Sequence, residues 1–131
     1  MDALQALLGA KPVAEITEEI MVKRLNSPFT IKALSGDDID SIREQATKVV
    51  PVGKKKELQV DEKEVARLLV AKAVVTPDFN DAALKKHYGA VDASECVQKA
   101  LLAGEIAKLQ SAIFELSGFG DEDEAVEEVK N

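Results

Sequence analysis

The chain has 131 residues, is 46% hydrophobic and 31% charged, and carries a formal net charge of −7. That is ordinary composition for one globular domain, which at this length buries about two-thirds of the surface its unfolded chain exposes. It also excludes several classes. No apolar run approaches the ~20 residues that span a bilayer, and an acidic balance opposes phosphate-driven nucleic-acid binding. The single cysteine, Cys96, leaves no internal disulfide, and the single histidine, His87, leaves no His-pair zinc motif.

With four Phe, one Tyr and no Trp, the core must be aliphatic. The first twelve residues, with an acid at position 2 and no basic n-region, do not read as a secretory signal. Residues 2–9 instead predict a short helix with Leu4, Leu7 and Leu8 on one face, closed by Gly9 and Pro12. The β-branched content of the next segment predicts a strand over Glu15–Leu25, in which Ile16, Ile20 and Val22 share a parity. A polar turn, Asn26-Ser27-Pro28, leads to a second strand, Phe29–Leu34, with Phe29, Ile31 and Ala33 on one face. The two form an antiparallel hairpin.

Ser35-Gly36-Asp37-Asp38 reads as a helix start, and Ile39, Ile42, Ala46 and Val49 form one stripe as far as Val50-Pro51. Residues 51–60 read as a loop carrying Lys54-Lys55-Lys56, with a short strand over Glu57–Val60 as an option. Asp61–Glu64 opens a helix, Val65–Val75, that is apolar almost all round and is therefore expected to be the central buried element, stopped by Thr76-Pro77. A short helix capped by Asn80 or Asp81 runs to Tyr88, with Gly89 after it. Asp92–Glu95 opens another, carrying Val97, Leu101 and Leu102 to Gly104.

A last helix starts near Glu105 with the stripe Ile106, Leu109, Ile113, Leu116. Gly118 then sits at C′ and Phe119 at C″, placed to close onto Phe114. Asp121–Asn131 holds six acids and one lysine, net −5, whereas the other 120 residues hold 18 acids and 16 bases, net −2. The expected architecture is helix-rich α+β: an N-terminal β-hairpin, with or without a third short strand, packed on four to five helices. Residues 1–119 form the globular part and 120–131 an acidic, disordered tail.

The chemistry-bearing residues give no constellation for catalysis. His87, in KKHYG, belongs at a helix C-terminus, where cations complement the dipole. Cys96 has no base near it in sequence and reads as a small buried apolar residue. Asp37, Asp38 and Asp40 do not fit an EF-hand loop and read as acids of a helix's first turns. Lys54-Lys55-Lys56 lacks the breadth and aromatics of a nucleic-acid surface. No phosphate-cradling glycine motif or GxSxG elbow occurs. Neither a cofactor nor a metal is expected.

Several strings taken together nevertheless point further. Lys23-Arg24-Leu25 is followed by PFTIKAL, Pro28–Leu34, then by ARLLVAKAVVTPDF, Ala66–Phe79, by LKKHYG, Leu84–Gly89, and by LLAGEIAKLQSAIFELSGF, Leu101–Phe119. In this order they resemble the XkdN-like phage tail assembly chaperones of prophages in Gram-positive bacteria, over about Glu15 to Phe119.

The resemblance implies a non-enzymatic protein that binds the long tape-measure protein and keeps it soluble while the tail forms. It would act in the host cytoplasm and be absent from the finished virion. In some phages an extended form also recruits tail-tube protein. Neither nucleic acid nor a membrane is an expected partner. On this reading the surface around Ile106, Leu109, Ile113, Phe114 and Phe119, just before the acidic segment, is a place to meet a client helix. The alternative is that these side chains only close the core. The competing functions are a permanent minor or connector subunit of the tail, and a small enzyme or regulator.

Overall fold

The computed structural model describes residues 2–119; the acidic segment Asp121–Asn131 lies outside them. The N-terminal hairpin forms as expected. Strand β1 (Thr17–Val22) pairs antiparallel with β2 (Ser27–Lys32), from Thr17 opposite Lys32 to Val22 opposite Ser27. The connection lies earlier than the sequence suggests: Lys23–Leu25 makes a 3-10 turn, and Asn26 takes the left-handed conformation at φ 48°. Asparagine tolerates that region better than most residues. Ser27 and Pro28 are thereby freed to enter β2 at its start, where proline's missing N–H matters least. Phe29, Ile31 and Ala33 are buried, as their shared parity predicts.

Helix α1 (Ala3–Gly9), capped by Asp2, precedes the hairpin. After it, α2 (Gly36–Gln45) starts in a capping box, with Ser35 Oγ accepting from the Asp38 N–H and Asp38 accepting from the Ser35 N–H. The helix ends five residues before the expected Val50. Thr47–Val52 is instead strand β3, paired antiparallel with β4 (Lys55–Val60), so the expected loop at 51–60 is half of a second hairpin. The cause is local. Thr47, Val49, Val50 and Val52 are β-branched, and Pro51 cannot serve a helix interior. Gly53, at φ 63°, stands at the first position of a two-residue turn that favours a positive φ.

Helix α3 (Glu62–Ala73), capped by Asp61, is the central element, burying Val65, Leu69, Val70 and Ala73 against α2 and two later helices. It stops before Val75, because Val74–Thr76 leaves as strand β5 and pairs with β2. Three β-branched residues ahead of Pro77 favour extension over another turn. The sheet therefore has the order β1-β2-β5, while the short strand read as an option over Glu57–Val60 forms within β4 of the second hairpin.

Helices α4 (Ala82–Tyr88) and α5 (Ala93–Ala100) follow, capped by Asp81 and Asp92, with Gly89 at φ 66° ending α4. Helix α6 (Ala103–Leu116) begins before Glu105, so Gly104 lies in its first turn and is not the stop of α5. One buried cluster joins the sheet, α2, α3, α5 and α6 and includes Ile31, Ile42, Leu69, Phe79, Val97 and Ile113. Its one aromatic pair is Phe29 edge-on to Phe79, with centroids 6.1 Å apart. Apart from Cys96, the other buried members are aliphatic, as the scarcity of aromatics requires. Among the described residues no helix is long and apolar enough to cross a membrane.

Candidate partner-binding surface

Helix α6 is held at both ends by the N-terminal hairpin. At its start, Glu105 accepts two bonds from Arg24 in the β1–β2 turn, Nε at 2.9 Å and Nη2 at 2.8 Å, and one from the Leu102 N–H at 2.8 Å. Arg24 Nη2 also reaches the Ala100 carbonyl at 3.1 Å. These bonds, Arg24's first, hold the Glu105 carboxyl below its ordinary pKa and the Arg24 guanidinium above its own. At the other end, Ser117 Oγ accepts from the Leu34 N–H at 3.0 Å and donates to the Ile113 carbonyl at 2.7 Å.

The same end carries the aromatic closure read from the sequence. Gly118, at φ 100°, turns the chain, its N–H bonds the Glu115 carbonyl, and Phe119 folds edge-on to Phe114 with centroids 5.3 Å apart. The five residues considered for partner binding separate into three places. Leu109 and Ile113 are fully buried, and Ile106 lines a groove of about 340 Å³ between α3 and α6 with Ala66, Ala103 and Ala107. Phe114 is half-buried, and Phe119 is 44% exposed. Ile106 and Phe114 are eight residues apart, about 12 Å along the helix. The structure therefore does not gather the stripe into one surface.

Apolar surface also occurs outside those five residues. On the β3–β4 hairpin, Val49 and Leu58 face each other across the ladder, and both are exposed. On α1, Leu4, Leu7 and Leu8 are exposed, and the helix buries nothing. The signal for the hairpin was present as Gly53-Lys54 between two strand-forming runs.

The titratable residues sit where local structure explains them. His87 lies in the last turn of α4, edge-on to Tyr88. Cys96 is buried in α5, and burial raises its thiol pKa, which leaves little thiolate. The Asp38 carboxyl is lowered chiefly by the Ser35 N–H and further by Ser35 Oγ and Lys72. Asp61 is lowered chiefly by Lys48, then by the Glu64 N–H it caps. A cleft of about 470 Å³ between α3 and α5 is lined in part by Glu64 and Ser94, which are hydrogen-bonded to each other, and Glu64 also pairs with Arg67. No group of three His, Cys, Asp or Glu side chains arranged to hold a metal occurs among the described residues.

The chain thus presents dispersed apolar surface on a well-capped helical body. The family model of phage XkdN-like tail assembly chaperone proteins matches residues 4–130. The chain belongs to that family. The fold is similar to the crystal structure of the protein YqbN, with a TM-score of 0.67 and 22% identity over 91% of this chain and 98% of that one. None of the curated proteins matches the sequence.

Proposed function

We propose that this tail assembly chaperone acts without catalysis, binding the tape-measure protein in the host cell and keeping it soluble until tail-tube protein surrounds it. The family match over residues 4–130 carries the reading. The physics supports it. A chaperone for a long amphipathic chain needs apolar surface to cover the client and net charge to keep the complex dissolved. Exposed apolar side chains on α1 and at the end of α6 supply the first. The net charge of −7, with −5 of it in Asp121–Asn131, supplies the second. Residues 1–119 serve as the binding body and the acidic segment as its charged extension. Within the original five residues, Phe114 and Phe119 offer contact at the C-terminal end of α6 and Ile106 offers it in the α3–α6 groove, while Leu109 and Ile113 hold the helix in place.

Expressing the tape-measure protein of the same phage alone and together with this chain tests the reading. The soluble fraction of the client is expected to rise severalfold on co-expression, with both proteins co-purifying. An unchanged soluble fraction contradicts it.

A further inference from the structure

Strands β3 and β4 form a two-stranded sheet of their own and pack chiefly on each other. Such a hairpin is marginal in water, and a third strand is one of the things that makes it stable. The hydrogen-bond phase decides which edge is open to that strand. Antiparallel pairs alternate between residues that exchange both backbone bonds and residues whose N–H and C=O point outward. The Asp61 N–H donates to the Ala46 carbonyl at 2.9 Å, which puts Lys48–Gln59, Val50–Glu57 and Val52–Lys55 in the bonded set. Pro51 agrees: it pairs with Lys56 in the outward set, where its missing N–H breaks no bond to β4. The same proline interrupts the outer edge of β3. On β4, Lys56 and Leu58 present both backbone groups outward, and neither has a backbone partner in another element among the described residues.

The side chains along this edge define what it takes. Leu58 faces Val49, the two are 74% and 60% exposed, and Val60 continues their face inward against the core. Thr47–Val60 holds four lysines and one glutamate, net +3, whereas the other 117 residues carry net −10. Lys48 pairs with Asp61 at 3.0 Å, but Lys54, Lys55 and Lys56 make no ion pair with another described residue. Lysines along an open edge discourage pairing with neutral or basic strands. A second copy joined edge to edge would set one net +3 hairpin against another, which like-charge repulsion opposes. An acidic strand meets no such barrier.

We propose that the outer edge of β4 takes an extended acidic segment of a partner protein as a third strand. The backbone groups of Lys56 and Leu58 hold that strand. Alternation along it then sets an apolar side chain beside Leu58 and carboxylates beside Lys56 and Lys55, two and three residues further on. The inference goes beyond the chaperone reading and does not require the partner to be the tape-measure protein.

The test uses the full chain and three labelled peptides of about eight residues, a usual strand length. One carries a valine with glutamates two and three residues beyond it, the second has lysines in place of the glutamates, and the third is the glutamate peptide N-methylated at alternate residues along its pairing edge. Fluorescence anisotropy should show binding of the glutamate peptide alone, weaker at high salt. Affinity should fall about tenfold or more in Leu58→Pro, which removes an outward donor but no β3–β4 bond, and in Lys55→Glu/Lys56→Glu. The charge variant changes only exposed side chains and should melt within about 2 °C of the parent, so it decides the matter if Leu58→Pro unfolds the hairpin. The proposal is overturned if the glutamate peptide does not bind, if the lysine or N-methylated peptide binds as well, or if the charge variant binds like the parent. Self-association of the parent that Leu58→Pro abolishes would give the edge to a second copy and overturn it too. So would tighter peptide binding by Asp121→Asn/Glu122→Gln/Asp123→Asn/Glu124→Gln, which would give the edge to the chain's own acidic segment.

Discussion

Arg24 and Glu105, 81 residues apart in sequence, are joined by two bonds of 2.9 and 2.8 Å that tie the β1–β2 turn to the first turn of α6. Glu105 also accepts from the Leu102 N–H, so one carboxylate both caps the helix and anchors the hairpin. Replacing Glu105 by Ala should destabilise the protein by about 1 kcal/mol through the cap alone. In a double-mutant cycle, Arg24→Ala should cost less in the Glu105→Ala background than in the parent. Additive losses on urea unfolding would show that the contact does not hold the turn to the helix.

Acid should act on the same carboxylates. Glu105, Asp38 and Asp61 all have folded pKa values below their unfolded ones. Their stabilising contribution is therefore fully present above the unfolded carboxylate range of about 4, and is lost as pH falls through the lower folded values. The urea midpoint should hold level from neutrality to about pH 5 and drop below about pH 4, and Glu105→Gln should flatten part of that drop. A midpoint insensitive to pH below 4 would contradict these assignments.

Leu69 is fully buried in α3. Leu69→Ala should cost about 2–5 kcal/mol, lowering the melting temperature by at least about 8 °C in a chain of this size. Leu58 is 74% exposed on the β3–β4 hairpin, and Leu58→Ser should change stability by no more than about 0.5 kcal/mol. Calorimetry on both variants checks the pair, and similar losses would place the hairpin against the core.

Cys96 lies within α5 with its thiol pKa raised by burial. Its reaction with a thiol reagent should be slow in buffer and complete in denaturant. Rapid labelling of the native protein would mean that α5 opens far more readily than its packing suggests.

Local chemistry was the legible part of this fold. Ser35, Asp61 and Asp92 each cap the helix that the sequence assigns to them, Asp81 takes the cap left open between it and Asn80, and Gly118 with Phe119 closes α6 onto Phe114. The errors arose where a helical period coincided with strand formers. Ala46 and Val49 continue the stripe of Ile39 and Ile42, yet Pro51 and the β-branched run turn Thr47–Val52 into a strand. Val74 and Val75 extend the apolar run of α3, yet β2 offers them a pairing edge that no local pattern reveals. The candidate site was legible only in part. Periodicity identifies the face that Leu109 and Ile113 share, but tertiary packing alone decides that those two are covered while Phe119 and the leucines of α1 are not.

Mass spectrometry of purified phage particles alongside the infected-cell lysate tests the central claim most directly. An assembly chaperone is expected to be abundant in the lysate during tail formation and missing from finished particles. Detection of this chain in the particles at a fixed ratio to tail-tube protein would contradict the account and make it a permanent tail subunit.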